Sequence, residues 1–130
     1  MKKILFVAFS TIVLAACSSK TDYEIGQKTT MEVNTKIDAG EVILGEKVKT
    51  VIKVKNTGSY PLVFGEVKGS CSCTIADYPQ TPVAPGATAE IKTEIETRSI
   101  GKLTKDVRIQ ANTEPSQTTV IITADVVDSK

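Results

Sequence analysis

In several stretches between residues 37 and 127, apolar side chains recur at every second position rather than every third or fourth. That is the period of a strand with one buried face. Lys47 to Lys55 sets Val48, Thr50, Ile52 and Val54 on one side and Lys49, Val51, Lys53 and Lys55 on the other. Ala89, Ile91, Thr93 and Ile95 alternate with Glu90, Lys92, Glu94 and Glu96, the cleanest amphipathic strand in the chain. Leu103 to Ala111 alternates through Val107 and Ile109, with Lys105, Asp106 and Arg108 interleaved. Gln117 to Val127 puts Val120, Ile122, Ala124 and Val126 on one face, and Ile121 and Val127 on the other, where partial cover is expected. Shorter apolar stretches run from Ile37 to Leu44 and from Leu62 to Val67.

Turn chemistry separates these runs. Asn56-Thr57-Gly58 reads as a turn, because Asn and Gly tolerate positive φ. Pro61 delimits the following strand, Pro79, Pro82 and Pro85 exclude a helix in the middle of the chain, and Pro85-Gly86 is a further turn signal. A loop is expected at Asn112–Ser116, around Pro115. About seven short strands with frequent turns and no helical stripe predict an all-β, antiparallel, immunoglobulin-like β-sandwich over residues 37–130.

The amino terminus has a different grammar. Lys2 and Lys3 precede an apolar run from Ile4 to Val13, and Leu14-Ala15-Ala16 leads to Cys17. These are the parts of a signal peptide covering residues 1–16. The run is too short for a spanning helix, which needs about 20 apolar residues. Leu14-Ala15-Ala16-Cys17 resembles the lipobox of bacterial lipoproteins. The resemblance implies a diacylglyceryl thioether on Cys17, cleavage before it, and acylation of the new amino terminus, commonly with palmitate. Two or more acyl chains anchor stably where one does not. By the same resemblance Ser18 and Ser19, where an Asp would retain the protein at the inner membrane, favour the outer membrane. Residues 17–36 then read as the lipidated terminus and a polar tether, spanning on average about 23 Å if flexible. A competing reading places a first edge strand around Thr29–Asn34, where Met31 and Val33 alternate with polar residues.

Charge and composition narrow the function. The chain has 16 basic and 15 acidic side chains and no histidine. Loss of residues 1–16 removes two lysines and no acid, leaving 14 basic against 15 acidic groups. Such a domain has no electrostatic footprint for nucleic acid and no polybasic strip for a membrane surface. The lack of histidine removes the commonest general base, the commonest metal ligand and the usual partner of a Ser or Cys nucleophile. The expectation is therefore a protein that is not an enzyme and has no cofactor. Lys49, Lys53 and Lys55 read as a solvated strand face. Tyr60, Tyr78 and Phe64 read as packing rather than a sugar platform.

Once Cys17 is lipidated, Cys71 and Cys73 are the remaining cysteines. Residues i and i+2 of a regular strand lie about 6.4–6.8 Å apart, so a bridge between them needs a local bend, which Gly69 and the flanking serines make possible. Four readings stay open: buried reduced thiols, a structural disulfide, a redox-active pair assisted by Lys68, and a Cu(I) site to which Asp77 or Glu66 contributes.

Three motifs in order are Lys55-Asn56-Thr57-Gly58 with Pro61-Leu62, Gly69-Ser70-Cys71-Ser72-Cys73-Thr74, and Pro82-Val83-Ala84-Pro85-Gly86. Together they resemble the DUF1573 family, immunoglobulin-like domains related in architecture to Hydin and major sperm protein. The family's middle motif usually reads Ser-Cys-Gly-Cys-Thr, and here Ser72 replaces the Gly. The resemblance implies a β-sandwich and brings no biochemical activity. The expected function is a membrane-anchored envelope lipoprotein that binds or scaffolds an unidentified protein partner through a sheet edge or the loops near Cys71 and Cys73. The alternative is a thiol–disulfide or copper-handling protein using that pair.

Overall fold

In the computed structural model, the described residues are 26–72 and 74–129. The signal peptide 1–16, the lipidation residue Cys17 and the second loop cysteine Cys73 lie outside them. Eight strands follow in chain order: β1 Met31–Val33, β2 Lys36–Ile43, β3 Lys47–Asn56, β4 Phe64–Gly69, β5 Thr74–Asp77, β6 Thr88–Glu96, β7 Gly101–Ala111 and β8 Gln117–Val127. They form two four-stranded sheets, ordered β1-β3-β6-β5 and β2-β8-β7-β4.

The alternation read from the sequence becomes the core. Val48, Ile52 and Val54 of β3 and Ala89, Ile91 and Ile95 of β6 are buried in one sheet. Val107, Ile109 and Ala111 of β7 and Val120, Ile122, Ala124 and Val126 of β8 are buried in the other, and the two sheets share one hydrophobic cluster. Each fully buried Val or Ile contributes roughly 1.5–3 kcal/mol relative to exposure. Thr50 and Thr93 sit opposite each other on the inner face of the first sheet, and their hydroxyls pair at 2.5 Å. The two polar groups thereby satisfy each other.

Four features differ from expectation. The tether expected to reach residue 36 ends earlier: Met31–Val33 is β1, paired antiparallel with β3, in line with the alternation of Met31 and Val33. β2 pairs parallel with β8, so the second sheet is mixed, and its register shifts between Asp38 and Glu41. There Gly40 takes a φ of +72° and its amide donates to Asp38 Oδ1 at 2.9 Å. β5, a four-residue strand, follows the cysteine motif in a stretch where alternation alone indicates no strand. Leu62 stands outside β4 and instead bridges Val83 through two 2.8 Å backbone hydrogen bonds.

The outer face of the first sheet is a solvated charge ladder, with Lys49 opposite Glu94 and Lys53 opposite Glu90. Glu94 lies 3.2 Å from Lys47 and 4.0 Å from Lys49. Exposed pairs of this kind contribute little. Glu94→Gln is expected to change unfolding free energy by less than about 1 kcal/mol in a urea titration, and that difference should vanish in high salt.

The tether end is closed by two asparagines. Asn56 is fully buried. Its Oδ1 accepts from Thr29 Oγ1 at 2.8 Å and from the Gly58 amide at 3.1 Å. Its Nδ2 donates to the carbonyls of Tyr60 at 2.7 Å and Val83 at 3.0 Å. Asn112 does similar work across the sheets, accepting from the Val63 amide at 2.7 Å and donating to the carbonyls of Pro61 at 2.9 Å and Gln27 at 3.1 Å. Nearby, Lys28 pairs with Glu114 at the surface. The hydrogen bond first, and the lysine charge second, hold the Glu114 carboxyl below its ordinary value. This link is present at neutral pH and is lost as the pH falls through that lowered value.

Candidate functional site: the crossover between the sheets

β4 lies at one edge of the second sheet and β5 at one edge of the first, so the chain must cross between sheets in residues 70–73. The crossing is held from several sides. The Ser70 amide continues the β4–β7 ladder by donating to the Asp106 carbonyl at 3.0 Å. The Thr74 amide donates to the Cys71 carbonyl at 3.2 Å, closing a turn. Cys71 Sγ lies 3.7 Å from Thr74 Oγ1. Cys71 is half-buried and disulfide-bonded, with a partner outside the described residues.

Gly69 permits this approach. A Cβ added there would lie 2.4 Å from Thr74 Cβ and 2.6 Å from Thr74 Cγ2, distances that real side chains do not adopt. Ser72, standing where the family motif has Gly, is exposed. Positive φ occurs among the described residues only at glycines, so Ser72 has ordinary backbone geometry.

Beside the crossover, the outer face of the second sheet carries a shallow hollow of about 300 Å³ lined by Glu66, Lys68, Ser70, Arg108, Gln110 and Gln117. Glu66, named in the sequence as a metal-ligand candidate, thus lines this hollow, whereas Asp77 lies opposite Lys92 at the far end of β5. Among the described residues no three His, Cys, Asp or Glu side chains converge as a metal site. Phe64 and Tyr78 meet edge to face with centroids 6.2 Å apart, and Phe64 is buried, while Tyr60 is exposed. The three rings therefore do not make one platform.

Sequence reasoning marked Asn56 only as a turn residue and Gly69 only as part of a bend, and it missed the hollow. Asn56 had a usable further signal: it continues the inward series Val48, Thr50, Ile52, Val54. The hollow had none, because it depends on which strand lies beside β4.

These geometric features meet the comparisons with known proteins. The profile of the family described as "Protein of unknown function (DUF1573)" matches residues 19–126. The chain belongs to the DUF1573 family. A second profile, the prokaryotic membrane lipoprotein lipid attachment site, matches residues 1–18, so this DUF1573 protein is a lipid-anchored envelope protein. No curated protein matches it.

Solved structures share the fold. A protein of unknown function from Porphyromonas gingivalis W83 is 20% identical with a TM-score of 0.66, covering 82% of this chain and 51% of its own. The VesB protease of Vibrio cholerae is 14% identical with a TM-score of 0.62, covering 73% of this chain and 31% of its own. The ASH/PapD-like domain 7 of human CEP192 is 10% identical with a TM-score of 0.64, covering 97% of this chain and 100% of its own. The DUF1573 chain thus spans about half the length of the Porphyromonas protein and a smaller part of the protease. At these identities the likeness is one of fold, a two-sheet β-sandwich.

Proposed function

We propose that this DUF1573 protein is a non-enzymatic binding and scaffolding module of the cell envelope, held at the outer membrane by acyl chains on Cys17. Its contact surface is the β4–β5 crossover. The observation that supports this is how the crossover is braced: a turn hydrogen bond, a disulfide at Cys71 and the close approach of Gly69 to Thr74 flank an exposed Ser72. A loop already ordered before binding loses little entropy when it meets a partner. Lipidation of Cys17 leaves Cys73 as the remaining cysteine to pair with Cys71.

The sheet edges suit binding less well. β1 and β5 are short, β4 and β2 carry register shifts, and β2 and β4 carry charged side chains. These are the devices that discourage strand addition.

The test is a photo-crosslinking amino acid placed in the full-length lipoprotein, in cells, at Ser72 or at Val51. Val51 is exposed on the outer face of the first sheet. A discrete cross-linked envelope species is expected from Ser72 and not from Val51, and it should persist, weakened, in the Cys71→Ser/Cys73→Ser variant. Loss of the species in that variant, together with a mixed disulfide trapped by Cys73→Ser alone, would establish thiol exchange instead.

A further inference from the structure

The outer face of the second sheet contains a pairing that the fold itself does not call for. β4 and β7 are antiparallel neighbours, with Lys68 directly opposite Arg108. Opposed residues have Cβ atoms about 4.5–5.5 Å apart, and like charges there destabilise the sheet. Elsewhere among the described strands, antiparallel pairs of charged residues join opposite signs, as in Lys53 with Glu90, Asp77 with Lys92, and Lys102 with Asp125. The parallel pair Glu41 and Asp125 joins two acids, but Lys102 flanks Asp125 on its other side. Lys68, on an edge strand, has no acid opposite it across a ladder. Arg108 Nε reaches Asp106 Oδ2 at 3.8 Å, whereas the Lys68 side chain makes no ion pair or hydrogen bond among the described residues.

Both cations line the hollow beside the crossover, together with Glu66, Ser70, Gln110 and Gln117. Glu66 and Asp106 balance the two cations in formal charge, so the hollow suits a single carboxylate set between Lys68 and Arg108 rather than a dianion. A guanidinium grips a carboxylate through two parallel N–H···O bonds, and an ammonium beside it adds a point charge. The Gln110 and Gln117 amides, the Ser70 hydroxyl and Glu66 supply donors and acceptors for polar groups next to that carboxylate.

The geometry points to a binding site for the free carboxylate of a peptide-like ligand, held between Lys68 and Arg108 with its amide groups against Ser70, Gln110 and Gln117. This names the ligand chemistry of the module proposed above and rests on that reading. Binding relieves the repulsion between the two cations, and the hollow opens beside the loop that would meet the partner.

The test uses the full-length mature lipoprotein in detergent micelles, labelled with ¹⁵N. N-acetyl-alanyl-alanine with a free carboxylate is expected to shift the Ser70 amide and Arg108 Nε–H signals saturably. Its carboxamide should shift neither, and Lys68→Gln/Arg108→Gln should weaken binding at least tenfold. Without ligand, Lys68→Gln should raise the thermal midpoint by about 1–4 °C, because it removes the like-charge pair. Equal shifts with acid and carboxamide, tighter binding of inorganic phosphate, or a lower midpoint for Lys68→Gln would overturn the site. If the Ser72 cross-link persists under such a result, the binding module stands and only its carboxylate site falls. If the Ser72 cross-link is absent, the module reading itself fails.

Discussion

Asn56→Ala is expected to destabilise the domain by about 3–5 kcal/mol. Asn56 is completely buried and uses both ends of its amide. Its removal leaves the Thr29 hydroxyl, the Gly58 amide and the Tyr60 and Val83 carbonyls without their partner. Unsatisfied buried groups cost about 1–3 kcal/mol each, and some of these reach water once the knot loosens. A domain of this size shifts its midpoint by about 4–8 °C for each kcal/mol, so a fall of at least about 12 °C is expected by calorimetry.

Asn56→Asp sharpens the test. The new carboxylate would face two carbonyl oxygens in a dry site, which raises its folded-state pKa above the unfolded value of about 3.9. A group raised in this way is tolerated below the unfolded pKa and costs stability as the pH rises. The variant should therefore lie closest to wild type near pH 3–4 and fall further behind towards pH 7, reversing the usual acid sensitivity. A pH-independent loss would show that Asn56 acts through its shape alone.

The second large effect is at Gly69. Gly69→Ala is expected to cost about 1–3 kcal/mol through overpacking, because the added Cβ meets both Cβ and Cγ2 of Thr74. Urea unfolding of a double-mutant cycle separates this from a backbone effect. Thr74→Ser keeps the clashing Cβ and should not rescue Gly69→Ala. Thr74→Gly removes it and should give a favourable coupling of about 1–2 kcal/mol, within the range for residues in contact. A rescue by Thr74→Ser as complete as that by Thr74→Gly would mean that Cγ2 alone sets the spacing of β4 and β5.

These two residues illustrate how far the fold was legible in the sequence. β3, β6, β7 and β8 were readable because one face of each is dry and the other wet, which writes a two-residue period into the chain. The sandwich followed from that pattern. β1 and β5 were weakly marked because strands of three and four residues at a sheet edge hold too few positions to display a period. The parallel pairing of β2 with β8 joins segments far apart in sequence, and nothing in either strand's own residues specifies that partner.

The candidate site was legible only in part. The paired cysteines marked the crossover. Gly69, read as flanking the bend, proved to be the point where two strands come too close for any Cβ. Lys68, weighed as a neighbour of the thiols, also lies opposite Arg108. That relation belongs to strand order and register, and no window of sequence contains it.

In this account, covalent closure of the crossover preorders the binding loop and strengthens capture, and a lipid anchor displays it. The most direct measurement is the intact mass of the protein extracted from cell envelopes, alkylated with and without prior reduction. The predicted result is a chain beginning at acylated Cys17 that takes up no alkyl group before reduction and two after it. Two alkyl groups taken up without reductant would mean that Cys71 and Cys73 are free thiols, and the preordered binding loop would be contradicted.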